Sequence, residues 1–124
     1  RFVGSVGRAE VAEFLSRSSV FVFPSLREGL PLSVLEAMAC GVPVVGSDVP
    51  GINDVIVNGE NGLLVPARDP KALAKAVLTL LNNAELRVRL GQNARRLIVE
   101  KYSWDRVIYN IEKVYSEAIA HAQT

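Results

Sequence analysis

The 124-residue chain has little of several features that would each indicate a particular class of protein. Its one cysteine, Cys40, rules out an internal disulfide and fits a reducing compartment, so we expect a cytoplasmic location or the cytoplasmic face of a membrane. Its one histidine, His121, lies near the terminus, where we expect a surface position. With no cluster at metal-ligand spacing, we expect neither a metal nor a cofactor.

The charge balance and the lengths of the apolar runs exclude further classes. The formal net charge is +1, which gives no electrostatic basis for binding nucleic acid. No apolar run approaches the ~18 residues that span a bilayer. Hydrophobic residues make up 49% and charged residues 22% of the chain, which is typical of a globular domain. Because the first four residues read like the end of a strand, we expect a piece of a longer protein.

Apolar runs and helical periodicities alternate from residue 2 to about 82. This order predicts an α/β fold with a mostly parallel sheet and right-handed crossovers. About 83–124 should hold only helices, so that 1–124 forms one partial domain. The predicted strands are 2–3, 20–23, 44–45 and 63–65, with 20–23 covered on both faces. The predicted helices are 6–17, 31–39, from Pro70 to about 82, from 83 or 84 onward, and a last one that Ser103 caps.

Two longer segments carry weaker signals. Residues 46–62 are rich in Gly, Pro, Asn and Asp and predict a long surface connection, with a helical turn at 52–57. In the first helix, Val11, Phe14 and Leu15 should share the buried face. In the last helix, Trp104 and Tyr115 fall on the apolar stripe, and we expect both to be packing residues, with part of the stripe exposed.

The loop at 25–31 is the strongest candidate for a binding site. It leaves the carboxyl end of a predicted strand and opens a helix near Pro31, where the first backbone N–H groups have no partner inside the helix. A carboxylate lies on each side, Glu28 in the loop and Glu36 in the helix, and each can accept from sugar hydroxyls. A nucleotide-sugar has both a phosphate and hydroxyls. The predicted phosphate contacts are the amides of Gly29 or Leu30, Leu32 and Ser33.

A plainer interpretation of the two carboxylates stays open at this point. Glu28 could be an ordinary surface acid, and Glu36 could pair with a basic residue on a neighbouring helix. The small apolar stretch 37–41 nevertheless predicts that Glu36 lies on a largely buried helix. A buried carboxylate there would need a partner or a ligand.

The motifs around these residues occur in a specific order. They are Phe23-Pro24-Ser25, Glu28-Gly29-Leu30-Pro31-Leu32, Glu36-Ala37-Met38-Ala39, Gly41-Val42-Pro43-Val44-Val45, Asn61-Gly62-Leu63-Leu64-Val65, Asp69-Pro70-Lys71-Ala72-Leu73 and Tyr102-Ser103-Trp104. In combination they resemble the donor-binding signature of retaining glycosyltransferases of the GT-B fold, the glycosyltransferase group 1 family. The resemblance covers nearly the whole chain and implies the latter half of a Rossmann-like C-terminal domain.

The resemblance implies roles for individual residues. Glu36 should hold the ribose hydroxyls of a nucleotide-diphosphate sugar, and Glu28 should face the transferred sugar as an electrostatic catalytic group. The amides of Gly29 to Leu32 should meet the diphosphate or the sugar, except at Pro31, which has no N–H, and Ser25 should line the same pocket. The family also has an N-terminal acceptor domain and an upstream basic pair for the diphosphate. We therefore expect this sequence to be the part of such a protein that follows both.

Other functions stay open at this point. The chain could be a non-catalytic nucleotide-sugar-binding or scaffolding module, or part of a nucleotide-sugar epimerase of the same fold. We expect no nucleic-acid partner. We also expect an incomplete parallel sheet to self-associate, because it leaves an edge strand and apolar flanks exposed.

Overall fold

The computed structural model describes residues 1–122, which form a three-stranded sheet with helices packed on it. The strands β1 (Phe21–Phe23), β2 (Val44–Ser47) and β3 (Leu63–Val65) are all parallel and lie in the order β1-β2-β3. The helices are α1 (Arg8–Ser16), α2 (Leu32–Ala39), α3 (Pro70–Leu81), α4 (Ala84–Leu97) and α5 (Trp104–Ala122), with a π-helical turn at Ile98–Tyr102 between the last two. The predicted α/β fold with a parallel sheet is confirmed.

Side-chain caps fix where α3 and α4 begin. The Oδ1 atom of Asp69 accepts a hydrogen bond of 2.9 Å from the Ala72 amide, and Pro70 occupies the first position of α3. The Oδ1 atom of Asn83 accepts one of 2.9 Å from the Leu86 amide at the start of α4. A capping residue satisfies an amide that the helix leaves without a partner, so these two starting points could be predicted from local sequence.

The core consists of two clusters, one on each face of the sheet. Val44 and Val45 are both fully buried, but they belong to different clusters because successive side chains of a strand point to opposite faces. The first cluster joins α1, α2 and the segment after β2, and the second joins α3 to the sheet. Helix α4 contributes to both, with Leu90 in the second cluster and Ala94 in the first.

Helix α4 passes very close to the end of α2. A Cβ atom added at Gly91 of α4 would overlap the carbonyl oxygen of Gly41, and it would lie 3.7 Å from the Pro43 ring. Gly41 follows the last turn of α2 and has a φ of 73°, a conformation that ends helices readily when the residue is glycine. The contact between these two glycines therefore fixes the carboxyl end of α2 against α4.

Two of the predicted strands differ from the structure. Residues 2–3 pair with no strand of the described chain. Strand β1 is an edge strand, and its central residue Val22 is 39% exposed, so the prediction that 20–23 is covered on both faces is wrong. Phe21 and Phe23 pack on the first cluster, whereas Val22 points to the opposite face, where α3 covers β2 and β3 instead.

The prediction of a surface connection at 46–62 is wrong for its apolar residues, whereas the helical turn predicted at 52–57 is present. Gly46 and Ser47 belong to β2, and four apolar residues of the following turns are buried: Val49, Ile52, Val55 and Ile56. The turns are hydrogen-bonded, with the Ile56 amide donating to the Ile52 carbonyl at 2.9 Å. The segment is rich in turn residues, but its apolar side chains point inward and complete the first cluster.

Helix α5 projects its apolar stripe into solvent. Trp104 is 79% exposed and Tyr115 is 67% exposed, so the expectation that they are packing residues is wrong. Among the described elements, α5 packs mainly on the π-helical turn, and no other helix covers its apolar face. Phe14 of α1 is likewise exposed, although it was expected to share the buried face with Val11 and Leu15. No helix within 1–122 is both long and apolar enough to cross a membrane.

Candidate functional site

The candidate site begins where β1 ends and the chain turns into α2. Residues 24–31 connect the carboxyl end of β1 to Leu32, the first residue of α2. Pro31 is fully buried, and its carbonyl accepts from the amides of Val34 at 3.0 Å and Leu35 at 3.1 Å. These bonds anchor the first turn of α2, so its amino-terminal end lies at the edge of the sheet where parallel folds bind ligands.

Several backbone amides at this end of α2 have no partner. Within residues 1–122, no hydrogen bond uses the amide of Glu28, Gly29, Leu30, Leu32 or Ser33. Leu32 and Ser33 supply the first two N–H groups of the helix, where the helix dipole favours an anion. The loop and the helix together therefore present unused donors of the kind that bind phosphate oxygens.

The two carboxylates are also unpaired. Glu28 is half-buried and Glu36 is exposed, so Glu36 is not the buried carboxylate that would need a partner, although it lies on a helix that is packed on one face. The helix is indeed buried on one face, through Val34, Ala37 and Met38, but Glu36 lies on the other. Neither carboxylate forms an ion pair or a hydrogen bond with any residue that the structure describes. Both are therefore free to accept hydrogen bonds from a ligand.

The two carboxylates have different surroundings. Glu36 lines a groove of about 520 Å³ between α2 and the chain that runs from the π-helical turn into α5. Leu30 and Leu32 form part of its apolar wall, and the rest comes from Arg8, Leu35, Ala39, Ile98, Tyr102, Trp104 and Val107. Ser25, Glu28, Gly29 and Ser33 do not line this groove.

Ser25 shapes the loop from within. It is half-buried, and its hydroxyl donates to the carbonyl of Arg27 at 3.2 Å. That bond uses the one hydroxyl proton, so toward a ligand Ser25 retains only acceptor capacity. Arg27 itself is exposed and forms no ion pair within the described chain.

Gly51 supports the loop by packing against its backbone, and the sequence alone did not indicate this contact. Its φ is 88°, and a Cβ atom added there would lie 2.5 Å from the Glu28 carbonyl oxygen and 2.7 Å from that of Gly29. The Gly51 amide donates to the Asp54 carboxylate at 3.1 Å, which fixes the turn. The Pro50-Gly51 dipeptide signals a turn, but only the fold shows which loop that turn supports.

An ordered loop, a helix end with unused amides and two unpaired carboxylates on a parallel sheet define an α/β domain that can bind an anionic, hydroxylated ligand. The family model for glycosyl transferases group 1 matches residues 1–97. The chain therefore belongs to the group 1 glycosyltransferases.

Individual relatives agree with this assignment. An uncharacterised glycosyltransferase of Methanocaldococcus jannaschii is 39% identical over 108 residues, covering 87% of this chain and 30% of that protein. The solved sucrose-phosphate synthase of Thermosynechococcus elongatus is 34% identical with a TM-score of 0.91, covering 98% of this chain and 30% of that one. A Staphylococcus aureus TarM mutant, solved with Fondaparinux, α-GlcNAc-glycerol and UDP, is 32% identical with a TM-score of 0.78, covering 85% of this chain and 22% of that one.

The fold is thus that of the C-terminal domain of GT-B glycosyltransferases, as the sequence predicted. The chain spans about a third of the length of the first relative and of the synthase. Groups of three or more His, Cys, Asp or Glu side chains that could hold a metal ion do not occur within residues 1–122.

Proposed function

We propose that this chain forms the donor-binding part of a glycosyltransferase that moves a sugar from a nucleotide-diphosphate sugar to an acceptor with retention of configuration. One observation carries the proposal. Along the chain, the unpaired amides at the start of α2 are flanked by Glu28 and Glu36, and neither carboxylate has a partner in the described chain. In a nucleotide-diphosphate sugar, the diphosphate lies between the ribose and the hexose. Its oxygens can accept hydrogen bonds from the amides, and the hydroxyls on either side can donate to the two carboxylates.

The amides of Gly29, Leu30, Leu32 and Ser33 bind the diphosphate in this proposal. The dipole of α2 adds up to ~2 kcal/mol for an anion at its amino-terminal end. The same amides stabilise the charge that develops on the leaving diphosphate as the glycosidic bond breaks. Such preorganised donors contribute most where charge grows in the transition state.

The carboxylates have separate roles. Glu36 accepts from the ribose hydroxyls, and its groove, with Leu32 and Trp104 in the walls, gives a nucleoside an apolar surface. Glu28 faces the sugar and stabilises the positive charge that develops on it. Ser25 lines the sugar side as an acceptor. The chain contributes binding, orientation and electrostatics, and we include no cofactor and no metal.

The acceptor should bind to a second domain of the parent protein. The S. aureus relative was solved with both UDP and a GlcNAc-glycerol, which supports a nucleotide donor and a hydroxyl acceptor in this family. We place the parent enzyme in the cytoplasm or on the cytoplasmic face of a membrane, in line with the single cysteine.

Calorimetric titration of the chain with UDP and with UDP-glucose tests the two carboxylates separately. Glu36→Gln should weaken binding of both ligands about tenfold, since it loses charge-assisted hydrogen bonds to the ribose. Glu28→Gln should weaken the binding of UDP-glucose and leave the affinity for UDP unchanged. Glu112→Gln, on the exposed surface of α5, is the matched control and should change neither affinity. Unchanged UDP affinity in Glu36→Gln would refute the ribose role.

A non-catalytic binding module is the second candidate, because the chain spans only about a third of its first relative. The two functions differ in turnover. The parent protein, incubated with UDP-glucose and an acceptor alcohol, should release UDP and form the α-glycoside if it is a transferase, and it should give no transfer if it is a binding module. The chain alone should give no transfer. A β-glycoside would contradict retention, and an epimerised nucleotide-sugar would identify an epimerase.

A further inference from the structure

A second pocket lies at the carboxyl ends of the three strands. Its volume is about 170 Å³, and its walls come from the residues that follow β1, the end of β2 and the turn between β3 and α3. It shares no lining residue with the groove that holds Glu36. Pockets for drug-sized ligands are ~300–1,000 Å³, so this one has room for a single small ring.

Ser47 gives this pocket an unused polar group. It is the last residue of β2 and is 2% exposed, yet its hydroxyl forms no hydrogen bond with any residue that the structure describes. Every fully enclosed side-chain oxygen or nitrogen of the described chain has a hydrogen-bond partner. Because the Ser47 hydroxyl has none, it is not fully enclosed and accounts for part of the 2% exposure of this residue. Ser47 lines the pocket, and a hydroxyl this deeply buried without a partner is unfavourable until a ligand supplies one.

Asp69 and Arg68 add an acceptor and a donor. One oxygen of the Asp69 carboxylate accepts from the Ala72 amide, which leaves the other oxygen without a partner in the described chain. Arg68 forms no ion pair there, and it is the only non-glycine residue within 1–122 with a positive φ, 62°. Left-handed residues other than glycine concentrate at functional sites, where the surrounding structure holds them in place.

The chemistry of these groups favours one kind of ligand. A carboxylate with a free oxygen requires hydrogen-bond donors and repels an anion, whereas Ser47 and Arg68 can donate to neutral oxygens. The remaining walls are apolar, with Pro24, Leu26 and Pro66 among them, and suit the C–H face of a ring. We propose that this pocket is a subsite for one neutral pyranose unit, whose adjacent hydroxyls bind the Asp69 carboxylate and the Ser47 hydroxyl.

This inference does not depend on the donor site, and saturation-transfer NMR on the chain can test it without nucleotide. Methyl α-D-glucoside and N-acetylglucosamine are suitable probes, and a single ring in such a pocket should bind with a Kd of about 1–10 mM. Ser47→Ala and Asp69→Asn should each weaken binding at least about fivefold. Asparagine still caps α3, so Asp69→Asn remains informative if the serine variant folds poorly.

Arg68→Gly separates a binding role from a structural one. Glycine adopts a positive φ without strain, so the variant should be at least as stable as the parent chain while binding the sugar less tightly. Arg95→Ala, on the exposed face of α4, is the matched control and should leave binding unchanged. An Arg68→Gly variant that binds the sugar as tightly as the parent would remove Arg68 from the proposed subsite.

Three results would overturn the proposal. The first is the absence of any saturable sugar signal. The second is binding that survives both Ser47→Ala and Asp69→Asn. The third is competition. Displacement of the sugar by UDP would locate the sugar in the donor groove, and preferential binding of inorganic phosphate would show that the pocket is an anion site.

Discussion

Replacing Gly51 by alanine should damage both the stability of the domain and the candidate site. The residue has a φ of 88°, and the added methyl group would lie 2.5 Å from the Glu28 carbonyl oxygen and 2.7 Å from that of Gly29. The left-handed conformation alone costs alanine about 1 kcal/mol. Forcing a methyl group against packed atoms adds about 1–3 kcal/mol, so the free energy of unfolding should fall by about 2–4 kcal/mol.

Gly59→Ala is a matched control, since it isolates the conformational part of this cost. Gly59 has a φ of 80°, but a Cβ atom there would meet nothing within 4 Å. For the Gly59→Ala variant, the free energy of unfolding should fall by only about 1 kcal/mol. With a urea m-value of about 2 kcal/mol/M, the unfolding midpoint should drop by about 1–2 M for Gly51→Ala and about 0.5 M for Gly59→Ala.

The same pair of variants tests whether Gly51 positions the candidate site. Relief of the overlap requires the Glu28–Gly29 backbone to move, so Gly51→Ala should weaken UDP binding about tenfold even where the protein is fully folded. Gly59→Ala should bind UDP with the same affinity as the unmutated chain. If the two variants have equal midpoints and equal UDP affinities, the turn at Gly51 does not support the loop and the reasoning is refuted.

The remaining predictions concern the core, the exposed surfaces and metal dependence. Leu90→Ala should lower the free energy of unfolding in urea melts by about 2–5 kcal/mol, because Leu90 is fully buried. The control Val88→Ala, at a position that is 57% exposed, should change it by no more than about 0.5 kcal/mol. Sedimentation velocity should show concentration-dependent association of the chain, and Val22→Lys on the edge strand should reduce it; a single monomeric species at all concentrations would contradict this. If Ile111→Glu reduces association and Val22→Lys does not, the contact surface is α5. Calorimetric titration with UDP should give the same Kd in Mg²⁺ and in EDTA, and a marked loss of affinity in EDTA would contradict our expectation that donor binding needs no metal.

Elements with strong local signals could be predicted from the sequence. The caps at Asp69 and Asn83 satisfy amides of their own helices, so neighbouring residues alone determine where α3 and α4 begin. Strand β3 coincides with its predicted bounds because an apolar run is closed by Pro66. The candidate loop was found in the same way, from a strand, a turn and a helix start in succession.

Several wrong predictions depend on contacts with distant parts of the chain. Composition marks 46–62 as a loop, but burial of Ile52 and Ile56 requires the first cluster to be assembled around them. Val22 is exposed because β1 lies at the edge of the sheet, which no local pattern reveals. The small residues after Glu36 correctly indicate a packed helix, but they do not reveal which face Glu36 occupies. The support that Gly51 gives the loop is likewise a long-range contact.

The contact between Gly41 and Gly91 also has a consequence for the order in which the domain is made. Helix α2 carries the amides of the candidate site, yet its far end is fixed by α4, which is synthesised much later. At translation rates of ~5–20 residues per second, the interval between these two glycines lasts about 3–10 s. During this time α2 exists without the helix that fixes its carboxyl end. The candidate site is therefore encoded before the helix that fixes it, and it reaches its final geometry only after α4 has been made.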